Sequence, residues 1–112
     1  MPTAVAPEPT LPEAPPPLPR EFRAVWVATV GNMDWPSRRG LPAEQQKAEL
    51  LAILDEAQAL GLNAVIFQIR PAADALYPSP HEPWSEYLSG TLGVPPEPYY
   101  DPLEFAVREA HL

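Results

Sequence analysis

The hydrophobic pattern of the chain shows two apolar runs separated by a segment of helical period. The runs span residues 22–30 and 64–69, and both are rich in β-branched and aromatic residues, as buried strands are. Between them, apolar residues recur with near-helical spacing, Pro42 suits a first helical position, and Gly61 suits the residue just beyond a helix end. We therefore predict a strand, a helix over residues 42–60 and a second, parallel strand, which together form a right-handed βαβ unit.

The second predicted strand is apolar along its length and polar at its carboxyl end. Alternation along the strand divides its side chains between two faces: Val65, Phe67 and Ile69 against Ala64, Ile66, Gln68 and Arg70. We expect the first set to pack against helices and the second to face a cleft or a barrel lumen. Asp74 follows this strand and Asp34 follows the first, so both are predicted to lie on one rim.

The segment from Pro71 to Tyr100 shows no helical period and contains seven prolines together with several aromatic residues. It is much longer than the usual connection of about 2 to 6 residues between a strand and a helix, so we predict an ordered, irregular loop that covers something. Asp101 and Pro102 then predict the N-cap and first residue of a second helix. Two strands and two helices cannot close a core, which indicates a fragment of a longer βα-repeating protein or two units of an interrupted gene.

Residues 1–19 hold eight prolines and differ sharply in composition from the remainder, residues 20–112. Proline fixes φ and lacks an N–H, so we predict a disordered, extended tether that separates a domain from an anchor or targeting signal. A ligand for a proline-binding module is the alternative. No basic and apolar signal-peptide pattern follows Met1.

Composition excludes several kinds of site and partner. The formal charge is −8, which argues against nucleic acid and anionic membranes as partners. There is no Cys, and the two His residues have no metal-ligand spacing, so we predict no metal site. There is no Gly-rich phosphate loop, and we predict no cofactor. No apolar run approaches the roughly 20 residues of a transmembrane segment.

The polar residues at the strand ends are the candidates for chemistry. Arg70 is suited to binding a carboxylate or a sugar hydroxyl, or to keeping a catalytic carboxylate ionised, whereas its structural alternative is a pair with an Asp of a neighbouring strand. Gln68 requires hydrogen-bond partners in a buried strand, and protein groups can supply them. Asp34 and Asp74 are candidates for catalysis, although loop Asp residues often cap turns. Glu82 and Glu86 are expected to be solvated loop charges.

Aromatic side chains are the second group of candidates, because their faces pack against the C–H face of a pyranose. Trp35 and Trp84 lie in predicted loops beside prolines, and Tyr77 follows the second strand. All three could stack on sugar rings, and Trp35 and Trp84 are the better candidates. Trp26 lies within the first predicted strand, where packing in the core is expected instead.

Five segments, taken in order, resemble the beginning of the bacterial glycosyl-hydrolase-like family 10: residues 21–30, 34–37, 45–47, 61–77 and 82–90. The resemblance implies a (β/α)8 TIM-barrel catalytic domain that acts on glycans, with bacterial peptidoglycan as the substrate class, of which this chain holds the first two βα units. The cleft would be lined by the candidates Asp34, Trp35, Gln68, Arg70, Asp74, Tyr77 and Trp84.

The resemblance also implies that the catalytic acid and nucleophile lie on later strands, beyond Leu112, and that this fragment alone is inactive. Family members are often secreted or lipid-anchored, which implies an extracytoplasmic location for the full-length parent, although this chain carries neither the anchor cysteine nor a signal. Two rival hypotheses are a non-catalytic glycan-binding module and a truncated fragment that does not fold.

Overall fold

The computed structural model describes residues 21–112, and the predicted tether at residues 1–19 lies outside the described residues. Its elements, in chain order, are strand β1 (Ala24–Val27), a 3-10 turn (Val30–Asn32), helix α1 (Ala43–Ala59), strand β2 (Ala64–Phe67), helix α2 (Glu86–Ser89) and helix α3 (Pro102–Ala110).

Strands β1 and β2 are parallel neighbours and pair from Ala24 with Ala64 to Val27 with Phe67. The predicted βαβ order is therefore confirmed, but each strand has four residues and is shorter than predicted. Beyond Phe67, the regular backbone pairing of the two strands ends. Gln68 N still donates to Val27 O at 3.0 Å, after which side-chain contacts replace the backbone ladder.

Helix α1 connects the two strands and ends at a glycine, as predicted. Gly61 has a φ of 79°, and its N–H donates to Gln58 O at 3.0 Å while Leu62 N donates to Ala57 O at 2.9 Å. Both bonds occupy carbonyls that the helix end would otherwise leave free. At the other end, Pro42 is the N-cap and not the first helical residue, one position from the prediction.

The long connection after β2 is ordered, but it is not irregular throughout. It contains helix α2, whose N-cap Ser85 accepts a hydrogen bond from Tyr87 N. An isolated bridge joins Ala75 to Trp84, and Leu76 N donates to Ile69 O at 3.0 Å, which returns the loop to the end of β2. The predicted absence of helix in this segment was wrong, because a helix of four residues is too short to show a period.

The predicted start of α3 is confirmed: Asp101 is the N-cap and accepts from Glu104 N at 3.0 Å, with Pro102 beginning the helix. In residues 21–112, a core forms against the sheet from Val27, Trp35, Ala43, Leu50, Leu76, Leu88, Tyr100, Phe105 and Ala106. Val65, Phe67 and Ile69 pack against it, as alternation along β2 predicted.

The opposite face of the sheet is open within the described residues. Trp26 and Ile66 pair in register there and are 57% and 40% exposed. Trp26 was expected in the core, and that prediction is wrong for this structure because no element in residues 21–112 covers its face. The described residues form a small α/β unit with one two-stranded sheet, and its completion to a barrel remains a prediction. None of the helices in residues 21–112 combines the length and the apolar character that a membrane span requires.

Candidate functional site

The carboxyl ends of β1 and β2 are held together by Gln68. Its Oε1 accepts hydrogen bonds from Thr29 N at 2.8 Å and Val30 N at 2.9 Å. Thr29 Oγ1 in turn donates to Gln68 O at 2.7 Å. Because two backbone N–H groups converge on one oxygen, the side-chain amide has one orientation that satisfies them. Gln68 therefore fixes the rim between the two strands and directs its Nε2 group away from these contacts.

Asp34 lies on the loop after β1 and stabilises that loop. Its Oδ2 accepts from Ala28 N at 2.7 Å, and Asp34 N donates to Ala28 O at 2.9 Å. The residue is otherwise exposed to solvent. This arrangement fits the turn-capping role weighed from the sequence, and it leaves the carboxylate accessible at the end of β1.

Arg70 makes a two-point ion pair with Glu82, across the loop that follows β2. Arg70 Nε donates to Glu82 Oε1 at 2.6 Å, and Arg70 Nη2 donates to Glu82 Oε2. The hydrogen bond to Arg70 lowers the pKa of Glu82 below its ordinary value, and the same bond raises the pKa of Arg70. Among residues 21–112, the partner of Arg70 is thus a loop Glu.

Glu82 was expected to be a solvated charge, and that prediction is wrong. Its side chain is 19% exposed, and both of its carboxylate oxygens bind Arg70. Glu86 was given the same expectation and is also paired, with Arg39 at 2.6 Å. Both pairs join residues that are far apart in sequence and depend on how the loop folds back, so local composition gave no sign of them.

Asp74 is almost completely buried, with 2% of its surface exposed. Its Oδ1 accepts from Ala72 N at 3.0 Å, and the intervening Ala73 has a φ of 57°. A non-glycine residue in this left-handed region is unfavourable unless its surroundings hold it there. Asp74 thus closes the turn that follows Arg70. The structure places Asp34 and Asp74 in separate turns, each bonded to a backbone N–H of its own loop.

Tyr77 and Trp84 lie on the long loop and are partly buried. Trp84 packs against the core and meets Tyr99 edge to face, with ring centroids 5.9 Å apart. Tyr99 itself is 61% exposed. Trp84 and its neighbour therefore present aromatic surface near the loop, as a sugar-stacking residue requires.

Trp35 is placed differently from the expectation that it stacks on sugar. It is fully buried, its Nε1 donates to Gln46 O at 2.8 Å, and its ring meets Phe67 edge to face at 5.6 Å. In this structure it has no ring face that is open to a ligand, so we interpret Trp35 as a core residue beneath the rim. Its position beside a proline suggested an exposed loop, but the loop folds over the sheet.

Gln46 is a buried polar residue whose role was not predicted. It lies on the inner face of α1, and its Nε2 donates to Leu41 O at 2.9 Å and Leu88 O at 3.2 Å. Its Oε1 accepts from Tyr100 OH at 2.6 Å. Burial raises the pKa of the Tyr100 phenol, which therefore stays protonated and able to donate. Gln46 shares the apolar stripe of α1 with Leu50, and a buried amide must find hydrogen-bond partners. Its position in that stripe was the signal from which this role could have been predicted.

A comparison with known protein families finds one match that covers these strand ends. The family described as Glycosyl hydrolase-like 10 matches residues 21–112, which is the whole of the described part. The chain belongs to this family. In the described range, no cluster of three or more His, Cys, Asp or Glu side chains forms that could hold a metal ion.

Two relatives illustrate how much of the family's length is present. Glycosyl hydrolase YngK of Bacillus subtilis (strain 168) is 55% identical over 92 residues, which are 82% of this chain and 18% of that protein. Glycosyl hydrolase DigH of Escherichia coli (strain K12) is 40% identical over 97 residues, which are 80% of this chain and 22% of that protein. The chain therefore spans 18% to 22% of the length of these relatives.

Proposed function

We propose that this chain supplies the first two βα units of a (β/α)8 barrel that hydrolyses bacterial cell-wall glycan of the peptidoglycan type. The observation that carries the proposal is membership of the glycosyl hydrolase-like family, together with polar groups at the carboxyl ends of two parallel strands. Active sites of such barrels form at that end. At the family level, this chain is part of a hydrolase.

The substrate-facing part of the chain consists of Gln68, Arg70 and Asp34 at the strand ends, with Asp74 shaping the turn between them and the loop. Gln68 Nε2 and the outer edge of Arg70 provide hydrogen-bond donors for sugar oxygens. Asp34 provides an accessible carboxylate. Trp84 and Tyr77 provide aromatic surface on the loop, which suits stacking against a pyranose ring. Trp35 supports the end of β2 from the core, where its ring packs against Phe67.

The chemistry we propose is general acid and base catalysis by two carboxyl groups, which is common to most glycoside hydrolases. The acid and the nucleophile, or the acid and the base, are assigned to later strands of the full-length protein, beyond Leu112. The chain covers only 18% of the length of one relative, so most of the strand ends of a complete barrel lie outside it. On this account the 112-residue chain alone has no hydrolytic activity.

Peptidoglycan lies outside the cytoplasmic membrane, so the proposal places the full-length protein in the periplasm, at the cell envelope or in the medium. The proline-rich residues 1–19 then serve as a tether that holds the barrel away from an anchor or targeting signal.

The test is digestion of purified peptidoglycan sacculi by the full-length protein, followed by separation and mass spectrometry of the soluble products. We expect glycan fragments with new reducing ends from the full-length protein and none from residues 1–112. Sacculi that are bound but never cleaved, under conditions in which a known muramidase is active, would favour the non-catalytic glycan-binding module. Cleavage by the 112-residue chain would contradict the assignment of catalysis to later strands.

A further inference from the structure

The pairing of Arg70 with Glu82 leaves one edge of the guanidinium group occupied and another free. Nε and Nη2 both donate to Glu82, in the two-point geometry that fixes a guanidinium most strongly. Among residues 21–112, Arg70 Nη1 makes no hydrogen bond, and the Arg70 side chain is 56% exposed. The group is therefore held along one side and open to solvent on the other.

Glu82 is itself held in place by the loop. Glu82 N donates to Ser79 Oγ at 3.2 Å, and the carbonyl of the following residue, Pro83, accepts from Ala75 N at 2.9 Å. The bridge between Ala75 and Trp84 continues this attachment. Because Glu82 is fixed to the segment that follows β2, it gives Arg70 a defined position. An arginine without such a partner would sample many rotamers.

We infer that Glu82 is a positioning residue, which holds the Arg70 guanidinium so that its Nη1 N–H groups donate to an uncharged oxygen of the glycan. This inference rests on the proposed function. The matching oxygens in peptidoglycan-type glycan are hydroxyl groups and N-acetyl carbonyl groups. A free carboxylate fits less well, because Glu82 already neutralises the charge of Arg70 and would repel a second anion nearby. Glu82 touches Arg70 and not the substrate.

The same pair persists across neutral pH. The hydrogen bond to Arg70 keeps the pKa of Glu82 below its ordinary value, so the carboxylate is ionised wherever an ordinary glutamate is. We therefore expect the contribution of Glu82 to substrate binding to be constant from about pH 6 to 8.

The test compares Glu82→Gln with wild type in the full-length protein, using purified peptidoglycan sacculi as substrate and as binding probe. We expect KM, and the Kd from co-sedimentation with sacculi, to rise on the order of tenfold while kcat changes less than about threefold. The matched control is Glu86→Gln. Glu86 lies on the same connection as Glu82, and the change breaks its 2.6 Å pair with Arg39, which precedes α1; both constants should stay unchanged. A thermal melt of each variant checks that the fold is intact.

Two further variants separate positioning from general loop stability. Arg70→Lys should raise KM and Kd to a similar extent, and the double variant Arg70→Lys with Glu82→Gln should be no worse than either single variant, since both act through one contact. Glu82→Asp keeps the charge and should recover part of the binding. Additive losses in the double variant would contradict the inference.

The remaining outcomes also decide the question. If Arg70→Lys weakens binding and Glu82→Gln does not, Glu82 has no positioning role. A steep rise of wild-type KM and Kd with salt would show that the contacted oxygen is charged, and would overturn that part of the inference. If wild type binds sacculi without cleaving them, the proposed hydrolase function fails, while the Kd comparison still tests Glu82. If wild type neither binds nor cleaves, both proposals are overturned.

Discussion

Replacing the buried Gln46 with methionine tests the packing that holds the long loop against helix α1. The change keeps the length of the side chain and nearly its volume, so cavity formation contributes little. It removes three hydrogen bonds, those of Nε2 with Leu41 O and Leu88 O and that of Oε1 with Tyr100 OH. Gln46 is fully buried, so water cannot readily replace the missing partners.

The magnitude depends on which partners are left without a hydrogen bond. Leu88 O also accepts from Gly40 N at 3.0 Å and stays satisfied. Leu41 O and Tyr100 OH lose the partner that Gln46 supplied. A buried polar group left without a partner costs about 1 to 3 kcal/mol, so two such groups predict a loss of about 4 kcal/mol in the free energy of unfolding. For a barrel-sized domain this corresponds to a fall in Tm of roughly 10 °C.

The assay is thermal and urea denaturation of the full-length protein, with unfolding monitored by both near-UV and far-UV circular dichroism. Gln45→Met is the matched control, because Gln45 is the adjacent residue on the exposed side of α1 and should shift Tm by less than about 2 °C. The double variant with Tyr100→Phe should cost less than the sum of the two single variants, since the hydroxyl group that Gln46→Met leaves unpaired is then absent. A Gln46→Met protein as stable as the Gln45→Met protein would refute this account of the core.

Two other predictions concern Tyr100 and Gln68. Burial raises the pKa of Tyr100 in the folded state. The protonated phenol therefore contributes fully to the free energy of unfolding below the unfolded pKa of about 10, and this contribution is lost as pH rises further. Tyr100→Phe should accordingly flatten the fall of Tm between about pH 9 and 11. An unchanged slope in this variant would assign the alkaline loss to other groups. Gln68→Leu removes the acceptor for Thr29 N and Val30 N, so hydrogen exchange at these two amides should accelerate on the order of tenfold or more. The amide of Leu50 in α1 serves as the internal control. Equal protection in both proteins would show that Gln68 does not hold the rim.

Local rules explain the parts of the fold that could be predicted. Gly61 ends α1 and Asp101 begins α3, because the conformational freedom of glycine and the side-chain oxygen of aspartate act within one helical turn. The parallel order of the strands followed from two apolar runs joined by a helix. The division of β2 into a core face and an open face followed from its alternation.

Contacts between distant segments explain what could not be predicted. The pairing of Glu82 with Arg70 and the burial of Trp35 both depend on a loop that folds back over the sheet, and residue type alone favoured solvent for both. Helix α2 was missed because four residues carry no period. Trp26 was assigned to the core from its position in a strand, but its face of the sheet is open within residues 21–112.

The site candidates divide in the same way. Gln68 directly follows β2, as the end of an apolar run indicated, whereas Asp34 and Asp74 lie in turns seven residues beyond the ends of β1 and β2. The hydrogen-bond and ion-pair partners of these residues could not be predicted from the sequence, since each partner is set by the three-dimensional path of a loop. Glu82 is the example with the largest consequence, because it changes Arg70 from a free cation into a held donor.

The most direct measurement of the central claim is a crystal structure of the full-length protein soaked with a short glycan fragment of peptidoglycan. The account predicts a (β/α)8 barrel in which β1 and β2 are the first two strands. It also predicts the glycan at their carboxyl ends, with a sugar oxygen at hydrogen-bond distance from Arg70 Nη1 and the Arg70–Glu82 pair intact. A closed barrel of another kind, or a glycan bound at a surface remote from Gln68 and Arg70, would contradict it.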